Sequence, residues 1–148
     1  MATPASIAGH PIHPMLVPLP IGLLVFSFLA DLFFLWGAGN PAWVTVALYT
    51  MAGGIVGALL AAVFGVIDLV SLPPSKAKRI GIWHMTINLA VVAVFAVSLW
   101  LRVSGSATDR LPVMLSFVGV ALLVVSGWLG GHMVYVHGVG QAPEHRKE

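Results

Sequence analysis

The six histidines are the residues of this chain best equipped for chemistry. His10 and His13 stand in the run Gly9-His10-Pro11-Ile12-His13-Pro14. His84 precedes Asn88 by four positions, and His132 precedes His137 by five. Imidazole ligates haem iron, zinc, copper or non-haem iron, and it relays protons near neutral pH. Asp68 is a carboxylate able to join such a set, as a ligand or as a general base on a metal-bound water. The chain has no cysteine, which excludes thiolate metal sites, iron–sulfur clusters and covalent c-type haem attachment. It has neither a Gly-x-Gly-x-x-Gly nor a Gly-Lys-Ser/Thr loop for nucleotides. Its serines form no arrangement suggesting a Ser-His-Asp triad. His145 lies in the polar tail and is left out of the candidate set.

What positions these side chains follows from composition. Only 8% of the residues are charged, 59% are hydrophobic, and the mean hydropathy is +0.99. A soluble domain has about a quarter of its residues charged, so the solvent of this chain is largely lipid. Four apolar runs, at about 16–36, 43–72, 80–101 and 111–131, reach the roughly 20 residues that a helix needs to cross a bilayer. They are too long for membrane strands and lack alternation. The expected fold is all-α: one integral membrane domain over 1–148, built as a four-helix antiparallel bundle with both termini on one side. The first run is too long for a signal-peptide core and lacks a basic flank, so it is read as a retained helix. Lys76, Lys78, Arg79, Arg146 and Lys147 fall on the side of the termini, against Arg102 and Arg110 opposite. The positive-inside rule then places both termini in the cytoplasm. A bacterial inner membrane, multi-pass location is expected. The net charge of +2 gives no reason to expect nucleic acid.

Alternation of the spans brings His10, His13, Asp68, His84, Asn88, His132 and His137 to a single membrane face. Any one interfacial histidine is equally well explained by hydrogen bonds to nearby backbone. Five histidines at one end are not, and their clustering motivates a site. The His10–Pro14 run reads as an extended segment capping the bundle. Gly53, Gly57, Ala61 and Gly65 recur every four residues in the second span, a stripe that lets another helix or a second copy approach closely. Asp68 continues this stripe toward the bundle interior. Asp31, at the far end, reads as half of a buried ion pair with Arg102 or Arg110. Trp83 and Tyr135 are expected mainly as interfacial belt residues. No internal repeat is evident in the sequence, which argues against a transporter working by alternating access.

Taken together, these motifs resemble the predicted bacterial membrane proteins called domain of unknown function 2231. The opening Gly9–Pro14 run with Pro18, Pro20 and Gly22 matches that family's first signature, and Asp31 its late aspartate. Gly65 with Asp68 and His84 with Asn88 match its Gly-x-x-Asp and His-x-x-x-Asn patterns. Gly130-Gly131-His132-Met133-Val134-Tyr135, with Gly138 and Gly140, matches its closing signature. Some relatives are joined to Rieske-type or cytochrome domains, so the resemblance implies electron transfer. The bundle also looks like four-helix membrane cytochromes, although only one face carries histidines, enough for one haem and not two.

Three functions follow as expectations. The first is a b-type haem protein for electron transfer, with His84 and His132 as axial ligands and His13 able to replace either. Lys76, Lys78 and Arg79 would then meet the propionates, and a redox partner or quinone would exchange electrons. The second is a zinc or iron site without haem, formed by His13, His84 and His132 with Asp68. The third is a cofactor-free structural or partner-binding subunit in the bilayer, associating through the small-residue stripe. An electron-transfer or binding role is expected ahead of hydrolysis.

Overall fold

A computed structural model of the chain describes residues 4–37, 39–105 and 109–141. Two short strands open it, β1 (Ser6–Ile7) and β2 (His10–Pro11), paired antiparallel. Ala8 and Gly9 form the two-residue turn between them with φ of 50° and 80°, the left-handed geometry that tight hairpins require. Helix α1 (Ile12–Leu16) follows, then α2 (Pro18–Trp36), α3 (Ala42–Ser71), α4 (Lys76–Ser104) and α5 (Arg110–Tyr135). The His10–Pro14 run is therefore only half extended: His10 lies in a strand, but His13 sits inside α1. Val17 links α1 to α2, donating its N–H to the His13 carbonyl at 3.1 Å. Pro18 and Pro20 lack N–H groups, and they fall in the opening turn of α2, where such donors have no helical partner.

Among the described residues, four helical spans are long and apolar enough to cross a membrane, with α1 and α2 forming the first. They pack as an antiparallel bundle. The most extensive contacts are α2 on α3 and α4 on α5, and α3 on α4 and α2 on α5 close the ring. Leu24, Met51, Val91, Phe95 and Leu123 form the core. Large apolar side chains such as Leu59, Trp100, Phe117 and Trp128 point outward, as a lipid-facing surface demands.

Helices α4 and α5 outrun the apolar stretches that announce them. Helix α4 begins at Lys76, where the Ser75 side chain accepts the Lys78 N–H as an N-cap, a strong local start signal. The Lys78 ammonium reaches back to the carbonyls of Val70 and Leu72 at 3.3 and 2.7 Å, satisfying acceptors left open at the end of α3. Helix α5 continues through Gly130 and Gly131 to Tyr135. A backbone in lipid has no water to replace its helical hydrogen bonds, so glycine alone does not end it. After α5 the chain returns to the N-terminal segment, and Gly140 packs beside Pro11.

The small-residue stripe of α3 is consumed inside the chain. Gly53 faces Leu23, Gly57 faces Pro20 and Leu19, and Gly65 faces the His13 ring. A Cβ on neighbouring Gly54 would lie 2.6 Å from Leu24. The stripe thus seats α1 and α2, and it is not the open surface for a second copy that its spacing suggests.

Candidate functional site

Two imidazoles meet at the end of the bundle that holds the N-terminal segment. His13 on α1 and His84 on α4 have ring centroids 6.4 Å apart and planes at 85°. Each ring is fixed by a neighbouring helix in the same way. His13 Nδ1 lies 2.8 Å from the Ala61 carbonyl oxygen of α3. His84 Nδ1 lies 2.9 Å from the Ser126 carbonyl oxygen of α5, with the Ser126 hydroxyl at 3.0 Å. A carbonyl only accepts, so Nδ1 carries a proton in both rings.

Glycines make these positions possible. A Cβ at Gly65 would stand 2.9 Å from the His13 ring, and one at Gly130 would stand 3.1 Å from the His84 ring. Each glycine lies one helical turn beyond the carbonyl that holds the ring. Each imidazole therefore sits in a notch, with its orientation set by a main-chain acceptor. Ligand histidines are commonly held this way, by a carbonyl on the ring nitrogen away from the metal.

Asn88 completes the site. Its amide nitrogen donates to His84 Nε2 at 3.1 Å and to the His84 carbonyl at 2.9 Å. Both ring nitrogens of His84 are thus hydrogen-bonded. No hydrogen bond reaches His13 Nε2 among the described residues. His84 lies eight residues into α4, about 12 Å along the helix at 1.5 Å per residue. It sits two turns inside the helix, deeper than the single turn its place in the apolar run suggests.

The other candidates separate from this pair. His132 meets His137 edge to face, with centroids 5.2 Å apart, so its ring contact is with the chain beyond α5. His10 is exposed and bonds the Ala8 carbonyl across its own turn at 3.0 Å. Asp68 is buried, and its carboxylate accepts the Ala5 N–H at 3.2 Å. It anchors the N-terminal segment that carries His10 and His13. Among the described residues, no three of His, Asp and Glu converge as a metal-binding group. Trp83 and Tyr135 are 66% and 85% exposed, placed as belt residues and not against the histidine pair.

At the opposite end, Arg102 grips Asp31 through two parallel bonds of 2.7 Å, the planar fork that guanidinium offers a carboxylate. Ser98 and Ser116 accept further Arg102 N–H groups at 3.3 and 3.2 Å, and both hydroxyls donate to the Pro112 carbonyl. The ion pair expected for Asp31 is present, and Arg102 is its partner.

The motifs now have places in one structure: the N-terminal His-Pro run in the notch of Gly65, Asp68 under that segment, and His84 with Asn88 against Gly130. The chain belongs to the DUF2231 family of predicted membrane proteins. The family pattern matches residues 9–143, from the first histidine motif to beyond the last. No curated protein and no solved structure matches. The matched stretch of this DUF2231 chain takes in the histidine end: the imidazoles of His13 and His84, Gly65 and Gly130 that admit them, and Asp68 that ties down the N-terminal segment.

The carbonyls of Ala61 and Ser126 are the parts of the site that sequence reasoning missed. Main-chain acceptors carry no residue signature. The only trace is a glycine four positions later on a helix facing a histidine.

Proposed function

We propose that this multi-pass membrane protein binds one b-type haem at its histidine-rich end and serves electron transfer, with His13 and His84 as the residues that would hold it. One observation carries the reading. Metal–imidazole bonds are about 2 Å, so rings that hold one group must be close neighbours. His13 and His84, with centroids 6.4 Å apart on two different helices, are such neighbours. Both rings also have Nδ1 tied to a carbonyl, which leaves Nε2 as the nitrogen to ligate, the arrangement common in ligand imidazoles.

In this reading His13 takes the part that sequence spacing first gives to His132. Lys76 and Arg79 are the cations this reading assigns to propionates, and they line an open cleft with Ile80 and Trp83 that no histidine enters. Lys78 is engaged in capping α3. Haem supplies a one-electron couple, and the chain supplies two oriented nitrogens. Asn88 sets a condition: its amide occupies His84 Nε2, and would have to give that nitrogen up for His84 to hold the haem.

A second reading rests on the same asparagine. His84 has both nitrogens satisfied as it stands, as a structural staple between α4 and α5 would. Haem content of purified variants separates the two. His13→Ala and His84→Ala should each lose haem, and His132→Ala should keep it. Full haem in both His13→Ala and His84→Ala rejects this pair. Folded, colourless wild-type protein after haem is offered leaves the staple.

A further inference from the structure

The two hairpins of the bundle repeat two of their polar contacts at corresponding positions. In the first hairpin His13 bonds the Ala61 carbonyl and the Ser27 hydroxyl bonds the Ala47 carbonyl. In the second, His84 bonds the Ser126 carbonyl and the Ser98 hydroxyl bonds the Pro112 carbonyl. The leading helices correspond at an offset of 71 positions: His13 with His84, Leu24 with Phe95, Ser27 with Ser98, Asp31 with Arg102. The returning helices correspond at an offset of 65: Ala47 with Pro112, Gly54 with Gly119, Ala61 with Ser126, Gly65 with Gly130. The sequence separations of the paired contacts are 48 and 42 for the histidines, 20 and 14 for the serines. Both differ by six, so one loop-length change between the hairpins accounts for all of them.

Packing follows the same rule. A Cβ on Gly54 would strike Leu24 at 2.6 Å, and one on Gly119 would strike Phe95 at 2.5 Å. Gly65 and Gly130 are the notches for the two histidines. A residue can touch its own counterpart only on the axis relating two copies. His13 meets His84, Leu24 and Phe95 share one core, and Asp31 meets Arg102. From position 13 to position 31 is 18 residues, about 27 Å of helix. That is close to the thickness of a bilayer core.

We infer that the chain is two copies of one helical hairpin about an axis running across the membrane, and that the His13–His84 pair is a site on that axis, built half by each copy. The hairpins run in the same direction, as in parallel repeats related by an axis along the membrane normal. This corrects the absence of a repeat in the sequence, where the matching positions are few and fall at two different offsets, 71 and 65. A ligand at the site is held by one imidazole from each half. That the ligand is haem rests on the function proposed above; the repeat does not.

The test exchanges counterparts in the full chain and reads folding, so haem plays no part in it. Asp31→Arg alone and Arg102→Asp alone leave like charges facing each other, and should lower the yield of monodisperse protein at least about tenfold. The exchange of both, with Met51→Ser and Ser116→Met to move the hydroxyl to its counterpart, should return the yield to within about twofold of wild type. In that exchange Ser27 stands four residues before the new arginine, as Ser98 stands before Arg102. Leu24→Phe with Phe95→Leu makes a second exchange without charge, expected to exceed both of its single variants. Recovery in either exchange supports equivalence of the halves. Failure of both to rise above their single variants overturns it. The haem reading would instead fail by a colourless wild-type protein, whatever the exchanges do.

Discussion

His84 is held by three groups, and their chemistry decides what it can do. The Ser126 carbonyl fixes the proton on Nδ1, and Asn88 covers Nε2. Asn88→Ala removes that cover. Its side-chain hydrogen bonds are worth about 1 kcal/mol each, so the variant should lose a little thermal stability in detergent and, under the haem proposal, bind haem as wild type does. Loss of haem in Asn88→Ala would show the amide supporting the ligand and not shielding it. His132→Ala, by contrast, should keep both haem and fold, because its ring contact is with His137 at the chain's return. At this scale the sequence was partly legible. The residue types and their common face could be read, and so could the Asp31 ion pair. Which two histidines meet could not, because His13 enters from a short helix whose position depends on the notch at Gly65. Neither could the role of Asp68, whose partner is a backbone N–H.

The helices were legible in type and number, since lipid demands long apolar runs with internal hydrogen bonds. The ends of α2 and α3 fell within a residue or two of the apolar runs, but both ends of α4 and the far end of α5 did not. Ser75 starts α4 among charged residues, before the apolar run, and Gly130 with Gly131 fails to stop α5. The glycine spacing of α3 told of close packing but not of its partner, which proved to be the chain's own α1 and α2. Close packing makes a sharp prediction. A Cβ on Gly119 would stand 2.5 Å from Phe95, whereas nothing lies within 4 Å of one on Gly127. Gly119→Ala should therefore cost about 1–3 kcal/mol by overpacking, seen as a lower melting temperature in detergent. Gly127→Ala, in the same helix, should be neutral or mildly stabilising, since alanine favours helix by about 1 kcal/mol over glycine. Equal destabilisation by both would contradict the assignment of these faces.

Taken whole, the molecule is polarised along its length. One end carries the histidine pair, the N-terminal strands and the cations of the loop before α4; the other holds a closed ion pair. Arg102 is buried against Asp31, with its side chain 0% exposed, so it is not a loop charge. Lys76, Lys78 and Arg79 at the histidine end then face only Arg110 opposite among the described residues. Arg146 and Lys147, which also enter the sequence argument, lie outside them. The positive-inside rule predicts the histidine end in the cytoplasm, so a C-terminal fluorescent-protein fusion should be bright and a phosphatase fusion inactive. The reverse pattern would invert the orientation without touching the site. The central claim is the haem held by His13 and His84. It is tested most directly by the absorption spectrum of the detergent-purified protein, oxidised and then dithionite-reduced, with iron measured on the same sample. The account predicts a Soret band that shifts and sharpens on reduction, with one iron per chain. A folded protein that stays colourless and iron-free, even after haem is offered, would contradict it.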